Sequence, residues 1–222
     1  MLLRSWGRRH FIAAVLAGAA GWPAAAAPAP AVLVLGDSLS AEYGLRRGTG
    51  WVALLESKLA AEGIGARVVN ASISGDTTSG GRSRLPALLK QHRPAVVVLE
   101  LGGNDALRGL PLEMTQRNLE AMAKAAREAG ARVLLVGMQM PPNYGADYAK
   151  RFATLFEQVA KAQQAALVPF LLKGVADAPD PLQWFQADRI HPNEAAQRRM
   201  LDNVWPELAK LLAAKLPRQS RP

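Results

Sequence analysis

Ser38 stands in the run Gly36-Asp37-Ser38-Leu39-Ser40, and its hydroxyl is the first group that could do chemistry. A serine attacks a carbonyl carbon only when a neighbouring base takes its proton, and that base needs a third group to fix its tautomer. Histidine is the usual base. The chain offers only His10, His92 and His191. His10 falls in a leader segment. His92 sits in Gln-His-Arg-Pro at an expected helix end, away from any strand tip. His191 remains, and Asp188 precedes it by three residues, close enough to turn its carboxylate onto the ring if the segment makes a tight turn. Pro192 fits the first position of the last helix. A serine after a strand-ending glycine is, taken alone, more often a cap. Ser, Asp and His at matching positions reverse that reading and point to nucleophilic acyl chemistry.

Such chemistry also needs donors for the negative oxygen of a tetrahedral intermediate. The candidates are the backbone N–H of Ser38, the backbone N–H of Gly75 in Asn70-Ala-Ser-Ile-Ser-Gly-Asp-Thr77, and the side-chain amide of Asn104 in Gly102-Gly-Asn-Asp105. Taken singly, Gly75 could be a plain turn glycine and Asn104 a loop residue closing an Asx-turn. Asp37, Asp76 and Asp105 are read as shaping their loops rather than as catalytic. Leu107, Leu110, Met138, Met140, Pro141 and Tyr144 could line an apolar groove for an acyl chain, or be core. Ser79-Gly80-Gly81 could let the loop after Gly75 move over substrate.

The elements that must position these groups follow from hydropathy. Short apolar runs at 31–35, 66–70, 95–99, 132–136 and 166–170 read as buried strands. Helical periodicity covers 51–61, 84–91, 112–129, 147–165 and 193–216, with Gly130 closing the third helix and Pro206 kinking or dividing the last. Alternating strands and helices imply right-handed crossovers and a parallel sheet between helices, with functional residues past the carboxyl ends of the strands. Every motif named above lies there.

The chain has 222 residues, no Cys and a formal charge of +9. It is long enough for one domain with a core of its own. Without Cys, disulfides, thiolate zinc sites and a thiol nucleophile are excluded, and three His exclude a His-rich metal site. Residues 1–27 read as a signal peptide: Arg4, Arg8 and Arg9, then an apolar stretch from Phe11 to Gly21, then Ala24 to Ala27. That stretch is too short to span the ~30 Å of a bilayer. Arg8-Arg9-His10-Phe11-Ile12 also resembles a twin-arginine signal. The expected product is a periplasmic or secreted monomer with no membrane span after leader removal, a domain at 28–216 and a disordered tail at 217–222. Removal of the leader's three arginines takes the charge from +9 to +6. The remaining cations are scattered, without the dense basic runs and interleaved aromatics that would indicate nucleic acid. They could favour anionic lipid head groups, although a solvated face is the simpler reading. There is no Gly-x-Ser-x-Gly, no P-loop, no Gly-x-Gly-x-x-Gly and no His-Glu-x-x-His.

The four blocks around Ser38, Gly75, Asn104 and His191 resemble the SGNH hydrolase (GDSL esterase) superfamily. Asn70 to Thr77, Arg84-Leu-Pro-Ala-Leu-Leu-Lys-Gln-His, Glu100-Leu-Gly-Gly-Asn-Asp and Pro142-Asn-Tyr-Gly are similar to its periplasmic thioesterase, lysophospholipase and arylesterase group, over roughly 32–212. The resemblance implies a three-layer α/β/α sandwich with a five-stranded parallel, flavodoxin-like sheet. It also implies a Ser38–His191–Asp188 triad, an oxyanion hole of Ser38, Gly75 and Asn104, no metal and no cofactor. The expected substrates are small-molecule acyl esters and thioesters. Arg189 stands where this group often has Gly, which bears on the charge beside the site. The alternatives are a carbohydrate O-deacetylase on the same fold and a catalytically silent lipid- or envelope-binding module.

Overall fold

The computed structural model describes residues 29–214, so the leader at 1–27 and the tail at 217–222 lie outside the described residues. Five strands form one sheet: β1 (Ala31–Gly36), β2 (Arg67–Asn70), β3 (Val96–Glu100), β4 (Arg132–Val136) and β5 (Ala166–Val168). All pairings are parallel and the spatial order is β2-β1-β3-β4-β5. The helices are α1 (Trp51–Ala61), α2 (Thr78–His92), α3 (Gly103–Leu107), α4 (Leu112–Glu128), α5 (Ala146–Ala162) and α6 (Glu194–Ala213).

The apolar runs fold as strands because both of their faces are covered. Side chains alternate across a strand. Leu33, Leu35, Val97, Leu99, Val133 and Leu135 therefore enter one core cluster with Leu85, Leu119, Met122, Phe152 and Phe156 of α2, α4 and α5. Val32, Val34, Val96, Val98, Leu134 and Val136 enter another with Trp51, Leu55, Met200 and Leu208 of α1 and α6. The three layers are thus written in the alternation. Truncating one of these fully buried leucines to Ala would cost about 2–5 kcal/mol.

The strand order has a physical consequence. The chain leaves β1 for one edge, then returns past it to β3 and builds the other half. A crevice opens outside the carboxyl ends of strands that flank such a reversal. The connections leaving β1 and β3 carry Ser38 and Asn104.

Three expectations are corrected and one short helix is added. Ser79-Gly80-Gly81 is no mobile loop but the first turn of α2, which Thr77 caps by accepting the Gly80 N–H at 3.3 Å. A Cβ at Gly80 would strike the Asp76 carboxylate, and one at Gly81 would strike Leu101, so these glycines serve close packing. The short helix α3 went unpredicted; five residues carry too little periodicity to register. Pro206 lies inside one continuous α6 and does not divide it. Pro192 is not its first residue: Asn193 is the N-cap, its side chain accepting the Ala196 N–H at 3.3 Å, because a carboxamide satisfies an orphan donor that proline leaves open. Pro192 instead bridges Phe185.

Candidate active site

Past Gly36 the chain turns, with the Ser40 and Ala41 N–H groups both donating to the Asp37 carbonyl. A Cβ on Gly36 would lie 2.7 Å from the Glu100 carboxyl and 2.8 Å from the Ser40 hydroxyl. Glycine is needed there for room rather than for an unusual φ. Glu100 ends β3 and is fully buried. It accepts the Ser40 hydroxyl at 2.7 Å and the Asp37 N–H at 3.3 Å, which ties the serine turn to β3. Burial, reinforced by the nearby Asp37 carboxylate, pushes the Glu100 carboxyl well above its ordinary range.

The structure brings Ser38, His191 and Asp188 together. Ser38 Oγ lies 3.0 Å from His191 Nε2, and His191 Nδ1 lies 2.6 Å from Asp188 Oδ2. An ionised carboxylate only accepts, so Nδ1 carries the proton and the Nε2 lone pair faces the serine hydroxyl. The other carboxylate oxygen, Oδ1, accepts the N–H groups of Ile190 at 2.9 Å and His191 at 3.0 Å. These bonds, the His191 N–H foremost, hold Asp188 down to about pKa 2 against the opposing effect of burial. The turn that makes this possible places Arg189 at φ +58°, in the left-handed region. The reach of Asp188 back to His191 thus depends on a conformation that glycine adopts more readily.

The N–H groups of Ser38 and Gly75 have no partner among the described residues. Gly75 has φ +77°, and its carbonyl accepts Arg108 Nη2 at 2.7 Å. Asn104 is helical rather than an Asx-turn residue, and its Nδ2 donates to Asp37 Oδ2 at 3.0 Å. Asp37 also accepts the Leu39 N–H at 3.1 Å, and burial raises its carboxyl to about 6. Asp76 accepts from Arg84 and the Thr77 N–H. Buried Asp105 accepts from the Thr78 N–H at 2.8 Å and from the Thr78 hydroxyl, joining α2 to α3. All three aspartates therefore shape loops.

The expected acyl groove divides. Leu107 and Tyr144 are exposed, as is Pro141, and Leu110 is half-buried. Met138 packs against both core clusters, and Met140 is a core residue at 8% exposure, so it has little surface to offer an acyl chain.

Other positioning residues had escaped notice. Tyr43 packs its ring against His191, with centroids 4.3 Å apart and the planes tilted by 38°. Gln186 Nε2 donates to the carbonyls of Tyr43 at 2.8 Å and Pro192 at 3.1 Å. Glu42 closes the connection from β1 to α1 by accepting the Gly48 and Gly50 N–H groups. Only Glu100, a charge ending an apolar strand, left a signal in the sequence.

A parallel sheet of this order, with this hydrogen-bonded constellation past its strand ends, defines the chain as an SGNH-type hydrolase. The model of the GDSL-like Lipase/Acylhydrolase family matches residues 34–199, and the chain belongs to that family. It is 55% identical over 186 residues to esterase TesA of Pseudomonas aeruginosa, covering 84% of this chain and 91% of that one. It is 43% identical over 187 residues to thioesterase 1/protease 1/lysophospholipase L1 of Escherichia coli K12, covering 84% and 87%. The psychrotrophic esterase EstA of Pseudoalteromonas sp., solved with monoethylphosphonate as inhibitor, aligns with a TM-score of 0.77 at 41% identity, covering 82% and 98%.

Proposed function

We propose that the chain is an exported hydrolase of acyl esters and thioesters, among them aryl esters, acyl-CoA and lysophospholipids. The carrying observation is the unbroken path from Asp188 through His191 to Ser38. The names of the relatives, esterase and thioesterase 1/lysophospholipase L1, support the substrate class. The leader composition supports export to the periplasm or beyond.

In this reading His191 Nε2 takes the Ser38 proton as Oγ attacks the acyl carbon. The carbonyl π pair moves onto oxygen, which the Ser38 and Gly75 N–H groups and the Asn104 amide stabilise. The C–O or C–S bond then breaks, and the leaving group receives the proton from His191. Water attacks the acyl-enzyme by the same path, releasing the acid and Ser38. Asp188 stays ionised throughout and stabilises the imidazolium. Leu107, Leu110, Pro141 and Tyr144 are the proposed contacts for the acyl chain. No step calls for a metal, a cofactor or a second chain.

The test is kcat/KM on p-nitrophenyl esters of increasing chain length, acyl-CoAs and lysophospholipids, with Ser38→Ala alongside. The variant should keep its fold, lose reaction with a fluorophosphonate probe and lose at least ~10³ in kcat. Near-normal activity would remove Ser38 from the mechanism. Strong preference for acetyl over octanoyl would favour a deacetylase, and an unlabelled wild type would point to a silent binding module.

A further inference from the structure

Six large apolar side chains stand exposed among the described residues: Tyr43, Ile73, Leu107, Tyr144, Leu182 and Ile190. Every one lies in a connection running from the carboxyl end of a strand to the next long helix, and each of the five such connections holds at least one. Singly scattered apolar residues need no explanation, but confinement to one edge of the molecule does. Contacts between the loops tie them together. The Tyr43 ring packs against His191, the neighbour of Ile190. Arg108, the neighbour of Leu107, bonds the Gly75 carbonyl two residues past Ile73. Tyr148 donates to the Ala106 carbonyl at 3.4 Å, holding the Tyr144 turn beside α3.

The exposed charges in the same connections lean basic. Arg46, Arg47, Arg108, Lys173 and Arg189 are exposed, Arg46 lying 3.5 Å from Glu194, against exposed Asp177 and Asp180 in the long connection from β5 to α6. Asp37, Asp76 and Asp105 turn inward to loop partners, Glu42 is occupied by backbone N–H groups, and Asp188 by His191. Around Tyr43, Leu107 and Ile190 the edge therefore presents separate apolar tips with guanidinium groups beside them in the chain. Apolar tips can enter the acyl boundary of a membrane while guanidiniums pair with phosphates. Tips carried on five separate loops suit a fluid surface better than the fixed relief of a protein partner.

We propose that this edge docks on an anionic phospholipid bilayer, with the Ser38 opening facing the lipid. Docking needs no turnover, so it stands apart from the proposed reaction. The experiment is flotation of the Ser38→Ala protein with vesicles of phosphatidylcholine, with or without phosphatidylglycerol. Binding is expected only with the anionic lipid. Ile73→Ser combined with Arg47→Ser should weaken it about 10-fold or more. The same pair in the Ser38 background should leave hydrolysis of p-nitrophenyl acetate unchanged. Lys124→Ser, on the outer face of α4, should leave vesicle binding unchanged. Absence of binding, equal binding to both vesicles, no effect of the rim pair, or an equal effect of Lys124→Ser would each overturn the proposal. An error in the role of Ser38 would show separately, as esterase activity surviving in Ser38→Ala.

Discussion

Asp37 and Asn104, 67 positions apart, meet through one bond of 3.0 Å from the Asn104 amide to the Asp37 carboxylate. A carboxylate accepts and cannot donate, so this contact decides which way the amide faces. One N–H of the amide is held by Asp37, which leaves the other free for the oxyanion role proposed for Asn104. In the proposed mechanism Asp37 acts through Asn104 rather than on substrate.

Removing that anchor should weaken catalysis more than binding. Asp37→Ala is expected to lower kcat about 10-fold or more on a soluble aryl ester with little change in KM. Asn104→Ala, which deletes the donor itself, should cost about 10²–10³. Steady-state kinetics check both, and an unchanged kcat in Asp37→Ala would dissociate the two residues.

The buried carboxyls predict an unusual pH dependence of stability. Asp37 is raised to about 6 and Glu100 well above its ordinary value, both chiefly by burial. A carboxyl whose folded pKa exceeds its unfolded value binds more protons in the fold, so it lowers stability as pH rises from about 4 through the folded value. Glu100→Gln keeps an acceptor for Ser40 and the Asp37 N–H without a charge to bury. Its thermal midpoint should therefore fall less than wild type between about pH 4 and pH 7, and equal or exceed wild type at the upper end. Thermal unfolding across that range is the check; a steeper fall in the variant would contradict it.

Arg189 should tolerate glycine and reject branching. Its φ of +58° is open to Gly but costly for a β-branched residue. Arg189→Gly is expected to keep kcat and to shift stability by no more than about 1 kcal/mol, relief of strain being offset by unfolded-chain entropy. Arg189→Val should distort the turn that aims Asp188 at His191 and lower kcat about 10-fold or more. Equal kinetics for the two variants would show that the turn has slack.

Gln186 links the Tyr43 segment to the His191 loop through two side-chain bonds. Gln186→Ala should release the Tyr43 ring and loosen His191, reducing kcat more than it raises KM. Kinetics paired with a folding check decide this; a loss confined to KM would assign Gln186 to substrate binding instead.

The sequence by itself determined the layers and the ordering of the blocks. β4 was read to the residue and α1 to its full span, because both are long or apolar enough to declare their period. Elimination among three histidines left His191, and its spacing from Asp188 already allowed the short turn that the fold displays. Tertiary structure alone decided what depends on contacts between distant segments. Contacts with distant segments packed Gly81 against Leu101 in the first turn of α2, drew Met140 into the core, and set Asn104 on Asp37 and Glu100 beneath Ser40. Residue order encodes periodicity and turn chemistry over a few positions. The aim of an amide or the protonation of a carboxyl is set by neighbours that only the folded chain assembles.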